Sequence, residues 1–181
     1  MPKLTAVEER FILHWGEMGT RWGINRTVAQ IHALLYLSAQ PLPADEIATT
    51  LSVARSNVSN SLRELQGWGL VHVVHRLGDR RDHFDSTDDV YEMFRRILDE
   101  RKRREIDPTL ELLRGCADEL KGGGAKSAYA RERIGELREF FENASGAYEE
   151  MRRLPAGALR GLVGLRGKLR SLLRGAKASG G

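Results

Sequence analysis

Seven side chains in one short stretch are suited to reading another polymer rather than to breaking bonds. Arg55, Ser56, Asn57, Ser59, Asn60, Ser61 and Arg63 fall between residues 55 and 63, and no acidic residue occurs between Glu46 and Glu64. An arginine fork matches the two acceptors of guanine, an asparagine amide pairs with adenine, and short hydroxyls reach base edges or phosphate oxygens. A merely solvated helix face would be richer in Glu and Lys, which form exposed helix better than Ser and Asn do. A stretch free of carboxylates also does not repel phosphate. The residue types therefore point to contact with double-stranded DNA. Further on, Arg80 and Arg81 stand between Asp79 and Asp82. One of these arginines is expected to pair with an aspartate and hold a loop. The other is expected to reach the minor groove or the sugar–phosphate backbone, and spacing alone does not say which.

Residue sets for catalysis are missing. His72 and His75 lie three apart in a stretch with strand periodicity, so they point to opposite faces and do not share a metal. Cys116 sits among helical apolar residues, where a small hydrophobe is expected. The run from Gly122 to Ser127 has the outline of a phosphate-binding loop. However, Ala125 replaces the glycine required before Lys126, Leu120 occupies the place of the first glycine, and no strand precedes it. No enzyme, metal or other cofactor is expected. Trp15, Trp22, Tyr36, Tyr91 and Phe94 either line a small-molecule pocket, for which a quaternary ammonium is the fitting ligand, or pack as ordinary core.

These residues need a frame. The chain has 181 residues, 30% of them charged, with a formal net charge of +4 and a single cysteine. That length suits one compact domain, or one domain with an appendage, and needs no disulfide, and the lone Cys116 fits a reducing, cytoplasmic setting. The N-terminus lacks an apolar signal core, so secretion is not expected. Residues 1–86 carry nine basic and nine acidic side chains, residues 87–154 fourteen and sixteen, and residues 155–181 six basic and no acidic. The basic balance thus belongs to the tail, and any claim of DNA contact by the body must rest on local charge.

Three segments follow from the patterning. Over 1–86, Thr5-Ala6-Val7-Glu8 opens a helix as a capping box, with Val7, Phe11, Trp15 and Met18 along its inner face and Gly16, Gly19 and Gly23 weakening and closing it. A second helix from Asn25 or Thr27 buries Val28, Ile31 and Leu35 and stops before Pro41 and Pro43. A short helix with Ile47 and Leu51, a break at Ser52-Val53-Ala54, and a longer helix from Arg55 to Gln66 follow. Alternation from Val71 to Leu77, a Gly78-Asp79 turn and a return from His83-Phe84 complete a winged helix-turn-helix. Over 87–154, a helix from Asp88-Asp89 bends at Asp107-Pro108. Ile106, Leu110 and Leu113, then Ile134, Leu137, Phe141 and Tyr148, recur by threes and fours on either side of a glycine turn. That pattern suits an antiparallel hairpin packing on itself or on a second copy, that is, a homodimer. Over 155–181, leucines gather on one arc with arginines beside them, so the tail is either disordered or an amphipathic segment for nonspecific DNA or an anionic membrane.

The run Phe11–Gly19 with Arg21-Trp22-Gly23-Ile24-Asn25-Arg26 resembles the GbsR branch of the MarR-type winged-helix regulators. Asp45-Glu46-Ile47-Ala48, Val58 to Leu65, Trp68-Gly69-Leu70-Val71 and Gly78 to Asp82 resemble it too, in order, over about residues 5 to 115. The resemblance implies a mainly α fold with a small β wing and a homodimeric bacterial transcription regulator that binds operator DNA and in some members senses choline-like ligands. Ala54 departs from the hydroxyl residue such proteins often carry as a helix cap. An alternative without DNA is a protein-interaction module whose basic tail lies on a membrane.

Overall fold

Thr5 caps the first helix as the sequence suggests. Its hydroxyl accepts from the Glu8 amide, while the Glu8 carboxylate accepts from the Thr5 backbone N–H at 2.7 Å. The computed structural model describes residues 4–122, 127–155 and 157. It is mainly helical, with one small antiparallel sheet, and divides after Arg96 into two compact units.

In the first unit, α1 (Ala6–Arg21) packs on α2 (Arg26–Leu37), which Asn25 caps by accepting from the Thr27 amide at 2.8 Å. The expected inner face of α1 is displaced. Val7 is exposed, Phe11, Trp15 and Met18 are half-buried, and Ile12, Gly16 and Gly19 are the buried residues. Gly16 and Gly19 do not end the helix. They let it approach α2 closely, since a Cβ at Gly19 would lie 2.6 Å from the Ala29 Cβ. Helix α2 is the core, with Val28, Ile31, Leu34 and Leu35 all buried.

A two-residue strand, β1 (Leu42–Pro43), leads into α3 (Ala44–Leu51). Ser52 then adopts a left-handed conformation at φ 53° and turns the chain into α4 (Arg55–Gly67), whose Val58, Leu62 and Leu65 are buried. Trp68 and Gly69 close α4. Gly69 sits at φ 70° with its carbonyl accepting from the Arg96 guanidinium, and a Cβ there would collide with that group. Strands β2 (Val71–Arg76) and β3 (Asp79–Ser86) form the wing, in sheet order β1-β3-β2. The returning strand starts at Asp79, four residues earlier than His83, because Arg76 already pairs with Asp79 across the Gly78 turn. Strand β1, which the prolines concealed, pairs Leu42 with Phe84 and Pro43 with His83.

Helix α5 (Val90–Arg101) begins on Asp89, whose carboxylate accepts from the Tyr91 amide at 2.9 Å. In the second unit a five-residue π-helical turn, Lys102–Ile106, precedes α6 (Asp107–Glu119) where the sequence leads one to expect a bend. Pro108, in the first turn of α6, has no N–H to donate, and the π-helical turn lies directly ahead of it. After a 3-10 turn, Leu120–Gly122, helix α7 (Ala128–Arg153) returns antiparallel. Arg131 reaches the Leu120 carbonyl, Arg114 pairs with Glu142, and Lys102 pairs with Glu149. The hairpin therefore packs on itself. The tail from residue 158 and the glycines 123 and 124 lie outside the described residues.

Candidate nucleic-acid interface

Helix α4 is held from beneath by Val58, Leu62 and Leu65, so the residues between them face outward. Arg55, Ser56, Asn57, Ser59, Asn60 and Arg63 are all exposed. Ser61 is not; it lies 5% exposed beside Leu62 on the inner face. Ser59 donates back to the Arg55 carbonyl at 3.1 Å, and Arg63 donates to the Asn60 side chain at 3.3 Å. The helix starts on Ala54, which supplies no side-chain cap, and its first turn holds no acidic residue. Its leading amides and the two arginines thus present positive potential with no acidic residue in that first turn.

The wing shows which of the two arginines pairs with an aspartate. Arg81 donates through Nε and Nη2 to the Asp79 carboxylate, at 2.8 Å for Nη2, and its backbone N–H reaches the same group at 2.9 Å. Its Nη1 lies 3.0 Å from Asp45 and 3.6 Å from Glu46, both in the first turn of α3. Arg81 is therefore a latch between wing and helix. The Arg81 hydrogen bonds hold the Asp79 carboxyl well below the usual carboxylate range. Arg80 is exposed and makes no side-chain hydrogen bond or ion pair among the described residues. His83, buried between strands, is placed with Nε2 3.5 Å from Asp79 and Nδ1 3.1 Å from the Arg81 carbonyl.

Between α4 and the wing lies a groove of about 580 Å³ lined by Asp45, Arg55, Ser59, Arg63, Arg81 and Asp82. The chain from Glu46 to Glu64 is free of acids, yet the fold brings Asp45 and Asp82 to the groove from outside that stretch. The Arg55 guanidinium lies 3.9 Å from Asp45. Burial pushes the Asp45 carboxyl up, but hydrogen bonds from its own backbone N–H and from Arg81 outweigh this and hold it low. Asp45 thus serves both the wing arginine and the first arginine of α4.

The aromatic residues divide. Trp15 and Tyr36 flank His32, with ring centroids 6.3 and 6.5 Å from it, and Phe11 stacks on Trp15 at 5.5 Å. Trp22 stands at the C-cap of α1 and Tyr91 in the first turn of α5. His32, not singled out in the sequence, is buried with no partner for Nε2, and burial lowers its pKa to about 4. A lone histidine inside an apolar helix face carries no pattern that would have marked it.

In the second unit, Leu110 is buried in the hairpin, Ile106, Leu113, Ile134, Phe141 and Tyr148 are half-buried, and Leu137 is exposed. Leu112, Tyr129 and Phe140 are exposed apolar residues outside the heptad reading. The Tyr148 hydroxyl donates to Asp99 at 2.7 Å, and burial together with that carboxylate raises its pKa. Among the described residues, no group of three His, Cys, Asp or Glu side chains is placed to hold a metal ion. Nor is any described helix long and apolar enough to cross a membrane.

Residues 22–82, from the C-cap of α1 to the returning strand, match the MarR family. The chain is similar to the HTH-type transcriptional repressor OpcR of Bacillus subtilis (strain 168), 24% identical over 87 residues, covering 48% of this chain and 47% of that protein. It is also similar to YvaV of the same organism, 22% identical over 91 residues, covering 50% and 51%. The chain thus spans about half the length of the curated relatives it matches. A crystal structure of a transcriptional regulator superposes with a TM-score of 0.62 at 16% identity, covering 81% of this chain and 95% of that one. That likeness shows the fold, a winged helix-turn-helix with long helices.

Proposed function

We propose that the chain is a MarR-type transcriptional regulator of the GbsR branch, binding duplex DNA sequence-specifically as a homodimer. The observation that carries this reading is the outward face of α4. Six polar residues, two of them arginines and none Glu or Lys, stand exposed there, and Arg80 of the wing is exposed as well. In this reading Arg55, Ser56, Asn57, Ser59, Asn60 and Arg63 meet the major groove, while Arg80 and, once drawn from its carboxylates, Arg81 meet the flanking backbone. The similarity to a protein named as a repressor favours repression. The work of such a regulator is cytoplasmic and binding, not catalytic.

The dimer is supported by the apolar side chains that the hairpin leaves outside, among them Leu137 and Phe140. Two reading helices would then lie about 34–36 Å apart, one turn of duplex, on a near-palindromic site. The row of Trp15, His32 and Tyr36 supports a small-molecule effector in the first unit, with Trp22 and Tyr91 as further candidates. Helix-turn-helix folds also serve as docking modules, so the experiment must separate the two. The test is selection of duplexes from a random pool, followed by binding of the selected and a scrambled duplex across a salt series. Full-length protein and a form truncated after Leu154 are compared. Enrichment of a near-palindrome that the truncated form still prefers supports the reading. No enrichment, or affinity that vanishes with the tail and never discriminates, overturns it.

A further inference from the structure

Asp45 is out of place in a groove built for phosphate. It is one of two carboxylates lining the groove beside α4, and it stands between the two arginines nearest to it. The two contacts differ. Arg81 is bound closely, at 3.0 Å, and is also gripped by Asp79 and Glu46. Arg55 is 3.9 Å away, beyond hydrogen-bond reach, and its side chain is 60% exposed, so Asp45 draws it by charge while leaving its five N–H donors free. We propose that Asp45 is a specificity-determining residue, an internal competitor that holds Arg55 and Arg81 away from phosphates on random duplex and directs Arg55 on a cognate one. The inference rests on the DNA-binding reading above.

The physical asymmetry lies in how the two complexes are held. Nonspecific binding is nearly all phosphate contact and grows with every mobile cation. Each arginine engaged by Asp45 is one the random duplex must recover from an ion pair, with a carboxylate then left facing the backbone. A cognate complex needs Arg55 in one direction at one base edge, where an aimed guanidinium loses less freedom than a loose one. Asp45 therefore weakens random binding more than cognate binding. It does so from α3, a helix with no other evident part in reading the duplex.

The test compares Asp45→Asn with wild type on the selected and scrambled duplexes, in the full-length protein across a salt series. The expected result is about fivefold tighter binding to the scrambled duplex, the upper range for an exposed ion pair. Its salt slope should steepen by about 0.9 per phosphate newly neutralised. Cognate affinity should stay or fall, so the ratio between the duplexes collapses by at least that factor. Asp45→Glu should restore the ratio, which a merely structural role for the side chain would not predict. Asp82→Asn removes a carboxylate from the same groove without freeing either arginine and should move both duplexes together. An unchanged ratio in Asp45→Asn, or the same loss of ratio in Asp82→Asn, overturns the inference. If wild type itself shows no preferred duplex, the DNA reading fails instead, so the two failures are distinguishable. Far-UV circular dichroism of each variant checks that α3 still folds.

Discussion

Arg80 and Arg81 are adjacent and chemically identical, yet the fold assigns them different work. Arg81 is surrounded by Asp79, Asp45 and Glu46, whereas Arg80 projects into solvent. Arg80→Ala should weaken selected and scrambled duplexes alike and flatten the salt slope by about one, as loss of a single phosphate contact does. Arg55→Ala, if Arg55 reads a base, should cost about 1–3 kcal/mol on the selected duplex only. Parallel titrations of the two variants show which is which. His32 yields a prediction in pH. Burial keeps it neutral down to about 4, against 6.5 in an unfolded chain, so the unfolded state binds more protons between those values. Its contribution is fully present above pH 6.5 and is lost as pH falls toward 4, by up to about 3 kcal/mol. Urea unfolding at several pH values should show that slope, and His32→Phe should remove it.

At the scale of elements, α1 and α2 approach each other closely at Gly19 and Ala29. Gly19→Ala places a methyl against the fixed Cβ of Ala29 and should destabilise the protein by about 1–3 kcal/mol. Gly16→Ala meets the long side chains of Gln30 and Arg26, which can swing aside, and should cost less in the same urea titration. This joint also shows where sequence reasoning succeeds and fails. Capping residues at Thr5, Asn25 and Asp89 mark helix starts because the cap is a local interaction, written within three residues. Composition marks the outward residues of α4 but includes Ser61, which packs inward beside Leu62. Gly16 and Gly19 were misread because glycine as helix breaker and glycine as contact point look alike until the partner helix is known. Likewise β1 is two residues long and owes its existence to β3, and Asp45 enters the groove only through the fold. What depended on neighbours in sequence was visible; what depended on neighbours in space was not.

Across the molecule, the two units differ in what they bury. The first closes over α2, whereas α7 in the second has no residue that is fully buried. A 26-residue helix that packs only along one side is short of apolar contact. Dimerisation through the exposed hairpin residues would supply it, which separates two kinds of substitution. Phe140→Glu or Leu137→Glu should yield a monomer by sedimentation equilibrium while leaving the first unit folded. Leu110→Ala, already buried within one chain, should instead cost about 2–5 kcal/mol of stability. If the glutamate variants sediment as wild type does, the hairpin is not the dimer surface.

The pairing of β1 with β3 has a consequence for how the wing can change. Leu42 and Pro43 grip β3 only at Phe84 and His83, while the register shift at Val74 and Arg76 and the Gly78 turn lie farther out. The base of the hairpin is thereby indexed to the rest of the first unit, and the tip beyond the irregularity is not. Residues grafted at Leu77-Gly78 would lengthen the reach of the wing without sliding β3 along β1. The same insertion between His83 and Ser86 would shift Phe84 out of the core. Length variation is thus confined by strand register to the part of the wing farthest from the hydrophobic interior.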